Sequence, residues 1–591
     1  MDNDCIPNVF LMAEEWTAML EVKSFPKDMS VLDVDHNEPR KCLVNGLFEE
    51  SVEVNGRIRT FYTYITKGLV YNQPCVVVAA PDDENVLDYL GRSHWFDFAD
   101  RHHVFLHILK SEDGGWNFDG ADADYMNRVY VQINGRRGYV AMQDNIYAFG
   151  VGRGATVAQQ AVMKMSSEWS GLATFGELDD KVTINEPVSA GAQDTGKTEL
   201  VISASKVPVP VWMAWKSKKG ANKAVFSYWM RNNGCADEGF SNQWADEVYF
   251  PSNVCRKSQI NEENIAQVRV SNGYDGNVEP AFLDAVWDYL SKSCRHRGFG
   301  TKQLRLRIDP EAYGFTRHTM ELDGWTRLWY EYVPRRVAEG GKRAPLVVCM
   351  HGRGGSAESF ISLSGMSRVA EERDFIVVFP ESCVSQQKPG TLRNLLLWEG
   401  SYKGEKTDDV KFILSIIDDV KMRCSIDESR IFACGQSSGG MMTSTLAQKA
   451  PDVFAAVAPW SALVSPDEEL CLPERIEPAV PFFFLFGEKD WLCADLEHGE
   501  MDYHAAHDIA AFLKNLMKIY ELDETPLKYT CGEISYYVYL NKKKVPMLTV
   551  GTVRDMSHAN YPGESWASWD QFMAKFSKDE GKLLYMGADA I

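Results

Sequence analysis

Short apolar runs alternate with amphipathic stretches through the second half of the chain. Leu346–Met350, Phe375–Phe379, Arg430–Cys434, Phe454–Ala458, Phe482–Phe486 and Met547–Gly551 are bounded by turn residues and predict buried strands. Between them the period changes to that of a helix. In Asp408–Arg423 the residues Val410, Ile413, Leu414, Ile417 and Val420 fall on one face. Ser438–Ala450, Tyr503–Tyr520 and Glu564–Phe576 also predict helices. Strands alternating with helices imply a mostly parallel sheet with helices on both faces.

The pattern is written twice. Gly46–Ile65 reads GLFEESVEVNGRIRTFYTYI and Gly314–Val333 reads GFTRHTMELDGWTRLWYEYV. Gly56 and Gly324, Arg59 and Arg327, Tyr62 and Tyr330, and Tyr64 and Tyr332 are each 268 positions apart. Asn55-Gly56 and Asp323-Gly324 predict a tight hairpin at the start of each copy. Further on, PCVVV from Pro74 matches PLVVC from Pro345, and IYAFGVGRGA from Ile146 matches IFACGQSSGG from Ile431. Val209-Pro210 matches Val480-Pro481, and Trp287-Asp288 matches Trp569-Asp570. Two long units predict a tandem duplication rather than a solenoid, with domains at 1–305 and 306–591. The opening hairpin would add antiparallel strands at one edge of each.

Composition narrows the function. A chain of 591 residues buries a large core without staples. Its net charge of −21 and pI near 5.1 disfavour nucleic acid and anionic membrane surfaces as partners. The longest apolar run, Ala479–Phe486, is too short to span a bilayer. The start of the chain carries acids and no basic region before an apolar run. That predicts a cytoplasmic protein, or a secreted one if a leader has been removed. Thirteen scattered cysteines without a Cys-x-x-Cys pair predict reduced thiols.

Candidate chemistry lies in the second copy. Gly435-Gln436-Ser437-Ser438-Gly439 stands between a predicted strand and a predicted helix, the setting of a nucleophile elbow. The Gly-x-Ser-x-Gly frame selects Ser437 as nucleophile. His351-Gly352-Arg353-Gly354-Gly355 follows the first buried strand and predicts an oxyanion loop, with Gly352, Arg353 and the N–H of Ser438 as the hole. Asp490, after strand Phe482–Phe486, is the candidate acid, with Glu488 and Asp495 as nearby rivals. His558, in a late loop, is the candidate base. The order Ser, Asp, His is that of an α/β-hydrolase. Gln436, Trp460 and Trp491 are candidate substrate contacts. His498, His504 and His507 lack a third ligand at a recognisable spacing, so no metal site is predicted.

HGRGGSAESF, FIVVFPES, DDVKFILSIIDDV, IDESRIFACGQSSGGMM and SHANYPG resemble the polyhydroxybutyrate-depolymerase-like esterases, a group close to the feruloyl and acetylxylan esterases. The resemblance covers roughly residues 314–575. It implies an α/β-hydrolase fold and carboxylic ester hydrolysis without a cofactor, with Ser437, Asp490 and His558 as nucleophile, acid and base. The chain then reads as two tandem α/β-hydrolase-like domains.

The first copy has lost these residues. Gly152 stands opposite Ser437, Lys219 opposite Asp490, and Ala80-Pro81-Asp82 opposite the His351 loop. No histidine occurs between His107 and His296. A catalytically degenerate domain that packs on the second is expected, and a homo-oligomer stays open. The expected activity is a serine esterase acting on soluble feruloyl, acetyl or hydroxyacyl esters. A prolyl-oligopeptidase-type peptidase and an inert scaffold are the alternatives.

Overall fold

Two turns of the same kind begin the two sheets. Asn55 and Gly56 adopt φ of 50° and 77°, and Asp323 and Gly324 adopt 52° and 79°. Two successive left-handed residues give the tight turn whose twist matches that of paired strands. Val54 therefore sits opposite Arg57, and Leu322 opposite Trp325. The computed structural model describes residues 20–134, 145–184, 207–252, 265–295, 304–386, 395–462, 475–488, 490 and 509–591.

From edge to edge the first sheet runs Val22–Ser24, Gly46–Val54, Arg57–Ile65, Phe105–Leu109, Cys75–Ala79, Ile146–Val151, Gly171–Phe175, Val211–Trp215, Val268–Asn272, Glu247–Pro251, Cys235–Phe240. The second runs Thr316–Leu322, Trp325–Tyr332, Ile376–Pro380, Ala344–Met350, Ile426–Gln436, Ala456–Trp460, Phe482–Gly487, Pro546–Val553, Ile534–Leu540, Leu527–Cys531. Among the described residues the order is the same in both, apart from the extra edge strand Val22–Ser24. The central strands of each are parallel and are flanked on both sides by antiparallel pairs, and the extra strand Val22–Ser24 runs parallel to Gly46–Val54.

Alternation along the strands shows why both faces are covered. Cys75, Val77 and Ala79 pack with helices Ala121–Asn134, Gly154–Lys164 and Gly220–Asn232. Their neighbours Val76 and Val78 pack with helices Val86–Arg92, Trp95–His102 and Pro280–Leu290. A strand buried on both sides reads as a continuous apolar run, as the sequence does here. The described residues contain no helix long and apolar enough to cross a membrane.

The structure shifts some expected elements. Helix Asp409–Arg423 buries Phe412, Ile413, Ile416, Ile417 and Val420, while Val410 and Leu414 are only half-buried, so its inner face is rotated from the predicted one. Helix Glu564–Gln571 stops short of Phe576, which instead opens strand Phe576–Asp579. Glu580 and Gly581, both at positive φ, turn that strand back on Lys582–Tyr585. The antiparallel pair Leu527–Cys531 and Ile534–Leu540 was not among the expected strands; its outer strand alternates Leu527, Tyr529 and Cys531 with Lys528 and Thr530 but is exposed throughout.

Each half is pinned by a buried ion pair built the same way. Arg59 Nη1 lies 2.6 Å from Asp122 Oδ1, and Arg327 Nη2 lies 2.6 Å from Asp409 Oδ1. Arg59 also donates to Lys110 O at 3.4 Å, and Arg327 to Glu381 O at 3.2 Å. The second carboxylate oxygen accepts from Asn117 N at 2.7 Å in one half and from Glu399 N at 2.6 Å in the other. Each guanidinium covers a ring three residues after its aspartate, Tyr125 at 4.2 Å and Phe412 at 3.9 Å.

Removing one partner of such a pair strands the other charge, at a cost of about 3–5 kcal/mol. Arg327→Met should lower the urea midpoint accordingly. Adding Asp409→Leu should restore much of the loss, since a well-packed apolar pair carries no desolvation cost. A single variant with an unchanged midpoint would deny the pair this role.

Candidate active site

Strand Ile426–Gln436 leads directly into helix Ser438–Lys449, and Ser437 is the hinge between them at φ 54° and ψ −119°. A non-glycine residue held there stores about 1–3 kcal/mol of strain. The surroundings enforce it: Ser437 N–H donates to Trp460 O at 2.9 Å. The helix also starts so close to strand Ala344–Met350 that a Cβ on Gly439 would stand 2.3 Å from Met350 O.

Three sequence-predicted residues meet at this hinge. His558 Nε2 lies 3.0 Å from Ser437 Oγ, and its Nδ1 lies 3.1 and 3.2 Å from the two carboxylate oxygens of Asp490. The Asp490 side chain is fully buried, whereas that of His558 keeps 21% of its exposure. A carboxylate facing Nδ1 fixes the proton there and leaves Nε2 free to accept from a serine hydroxyl. The His558 loop reaches the site by crossing the end of strand Phe482–Gly487, where a Cβ on Gly487 would stand 2.2 Å from Met556 O. Of the rival acids, exposed Glu488 accepts from Asp555 N at 3.0 Å and does not face the ring. Asp495 lies outside the described residues.

Gly352 packs against Ser437; a Cβ on it would be 3.4 Å from Ser437 Cβ. Ser438 opens its helix, so its N–H has no acceptor within that helix. Gly352 and Ser438 thus flank the Ser437 hydroxyl, while the Arg353 side chain is exposed. The loop's own His351 is fully buried: Nδ1–H donates to Gly352 O at 2.8 Å, and Nε2 accepts from Ser382 N–H at 3.1 Å. Trp398 Nε1–H donates to His351 O at 2.8 Å. His351, Trp398 and Ser382 shape this loop in roles the sequence did not announce. So does Glu564, which accepts from Asn560 Nδ2 at 2.6 Å and Tyr561 N at 3.0 Å and so orders the loop after His558. Burial pushes the Glu564 carboxyl up to about 8.

The expected substrate contacts fare differently. Trp460 is buried, with its indole donating to Ser568 Oγ at 2.9 Å. Gln436 stands half-buried beside Gly352. Trp491 lies outside the described residues, as do His498, His504 and His507. The nine described cysteines are free thiols.

At the matching place in the first sheet, Gly152 holds φ 56° between strand Ile146–Val151 and helix Gly154–Lys164. Asp82 pairs with Arg153 at 2.7 Å there, and Lys219 is an exposed residue at the start of helix Gly220–Asn232. A cavity of about 500 Å³ remains, lined among others by Asp82, Gly152, Arg153, Lys216 and Tyr274.

Residues 329–470 match the family model for Esterase PHB depolymerase. Among curated relatives, Feruloyl esterase B of Thermothelomyces thermophilus is 33% identical over 139 residues, covering 23% of this chain and 43% of its own length. Poly(3-hydroxyalkanoate) depolymerase C of Paucimonas lemoignei is 27% identical over 233 residues, covering 36% and 55%. The chain spans about half the length of the curated relatives it matches. Among solved structures, an acetyl xylan esterase from Aspergillus awamori aligns with 44% of this chain and 99% of its own, at 15% identity and a TM-score of 0.32.

Burial pushes the His351 imidazole down to about 4, and the charge of Arg40 adds to the fall. Its unfolded value is about 6.5. Between those pH values the unfolded chain binds a proton that the folded chain does not. The stability linked to His351 is therefore complete above about pH 6.5 and is lost as the pH falls toward 4. Melting temperatures measured across this window should drop, and His351→Gln should show a shallower drop. An equally steep fall in the variant would remove His351 as its source.

Proposed function

We propose that the second half of this chain is a serine carboxylic ester hydrolase of the esterase PHB depolymerase kind. The observation that carries the reading is the position of His558, within hydrogen-bond distance of both Ser437 Oγ and the Asp490 carboxylate. His558 takes the hydroxyl proton as Ser437 attacks the ester carbonyl. The N–H groups of Ser438 and of the Gly352–Arg353 stretch receive the developing oxyanion. His558 then passes the proton to the leaving alcohol, and water cleaves the acyl-enzyme by the reverse transfers. The relatives named feruloyl esterase, acetylxylan esterase and poly(3-hydroxyalkanoate) depolymerase support feruloyl, acetyl and hydroxyacyl esters as the substrates to test.

The first half, on this reading, is a duplicated and catalytically silent copy. The matching order of strands, the matching Arg59–Asp122 and Arg327–Asp409 networks and the shared backbone angle at Gly152 and Ser437 support it.

Ser437→Ala should lower kcat on p-nitrophenyl acetate and methyl ferulate by about 10⁶-fold. Ser438→Ala should stay within a few-fold of the parent, since only its backbone serves. A dead Ser438→Ala beside an active Ser437→Ala would refute the assignment.

Asp490→Asn keeps the shape of the site but favours the wrong imidazole tautomer, and should cost about 10⁴-fold in kcat. Near-normal rates would move the role of the acid elsewhere.

A further inference from the structure

The first half reaches into the second with two adjoining segments. Residues 29–42 lie along it: Gln386 Nε2 donates to Ser30 O at 2.8 Å, and Val34 N–H to the Tyr402 hydroxyl at 2.8 Å. Thr326 N–H donates to His36 O at 2.9 Å, and the His36 ring stacks on Trp325 at 3.8 Å. Val34 shares a small core with Trp325, Cys383, Val384, Leu396 and Tyr402. The second segment, residues 69–73, is tied to the first by Cys42 N–H to Leu69 O and Tyr71 N–H to Arg40 O, both at 2.8 Å.

Where the two segments meet, Arg40, Asn72 and Gln73 are all buried. They land on the stretch that follows His351. Asn72 Nδ2 donates to Gly354 O at 3.1 Å. Arg40 lies 3.0 Å from Glu381 and 3.5 Å from Glu358, and Gln73 donates to Glu358 at 3.4 Å. Glu381 in turn accepts from Ala357 N–H at 3.2 Å. Gly354 is the middle of a turn closed by Gly355 N–H to Gly352 O at 3.0 Å, and its own N–H donates to Leu396 O at 2.8 Å. Asn72 thus fixes the carbonyl of the turn that sets Gly352 beside Ser437. It does so from a φ of 63°, a conformation asparagine tolerates better than most residues.

We propose that Asn72 is a positioning residue for ester hydrolysis at Ser437: through its bond to Gly354 the first half holds the oxyanion loop of the second in catalytic form. The inference rests on the esterase reading above. Its physical basis is that oxyanion donors work only at a defined distance from the developing charge, and a displacement of about 1 Å can cost on the order of 10²-fold in rate. The silent copy is then not a passenger, because it supplies a contact that the loop cannot make within its own half.

The test uses the full chain with Asn72→Gly, which keeps the positive φ and removes the amide, and Asn72→Asp, which keeps the shape and replaces the donor by an acceptor. Ser437→Ala is the control. On p-nitrophenyl acetate both Asn72 variants should lose about tenfold or more in kcat with KM within about twofold. Their phosphonylation by a fluorophosphonate should slow in step, and their melting temperatures should stay close to the parent's. Parent-like kcat in both variants would overturn the proposal while leaving the esterase reading intact. A loss confined to KM, or collapse of the fold in both variants, would also overturn it by making the contact one of binding or of general stability. A parent chain that hydrolyses no ester, or that equals Ser437→Ala, would overturn both readings together.

Discussion

The buried pair between Arg327 and Asp409 organises the second half from the inside out. Neither charge can be left alone in an apolar interior, so each is compelled to collect every polar partner within reach. Arg327 takes Glu381 O, and Asp409 takes Glu399 N, which fixes both ends of the excursion between strand Ile376–Pro380 and helix Asp409–Arg423. Ser382 and Trp398, one residue inside each end, are the groups that hold His351. From there the loop passes to Gly352 and the hinge at Ser437. A buried charge pair is therefore linked, through Ser382 and Trp398, to the loop beside Ser437.

The first half has a pair of the same build with other residues at the strand ends. Arg59 and Asp122 still bind a backbone carbonyl, a backbone N–H and an aromatic ring. What sits at the strand ends has changed: Pro81 offers no N–H, and Asp82 and Arg153 neutralise each other where Ser437 and its loop meet in the second half. Architecture and chemistry are separable in this chain because they are written in different residues, the one buried between sheet and helix and the other on the loops beyond the strand ends.

Much of this was legible in the residues. Asn55-Gly56 and Asp323-Gly324 announced the hairpins, because few other dipeptides accept two positive φ values in a row. The central strands stood out since burial on both faces demands unbroken apolar runs. Ser437 followed from the frame of its glycines. The choice among Glu488, Asp490 and Asp495 did not follow, as three acids within eight positions differ only in which one the fold turns toward His558. The burial of Trp460 did not follow either, because its place at a strand end says nothing about which face of the sheet it takes. The segments around Arg40 and Asn72 left no local signal at all. Their partners lie 282 and 318 residues further along, at Gly354 and Glu358, and no periodicity connects such distant positions.

The backbone angle shared by Gly152 and Ser437 has an evolutionary side. A serine in that seat works against its own stereochemistry, and the rest of the fold must hold it there; a glycine takes the same seat without opposition. Reactivity and comfort therefore pull in opposite directions at this single position. Where selection asks for a nucleophile, the tension is maintained. Exchanging serine for glycine there would relax the backbone and erase the hydroxyl in one step.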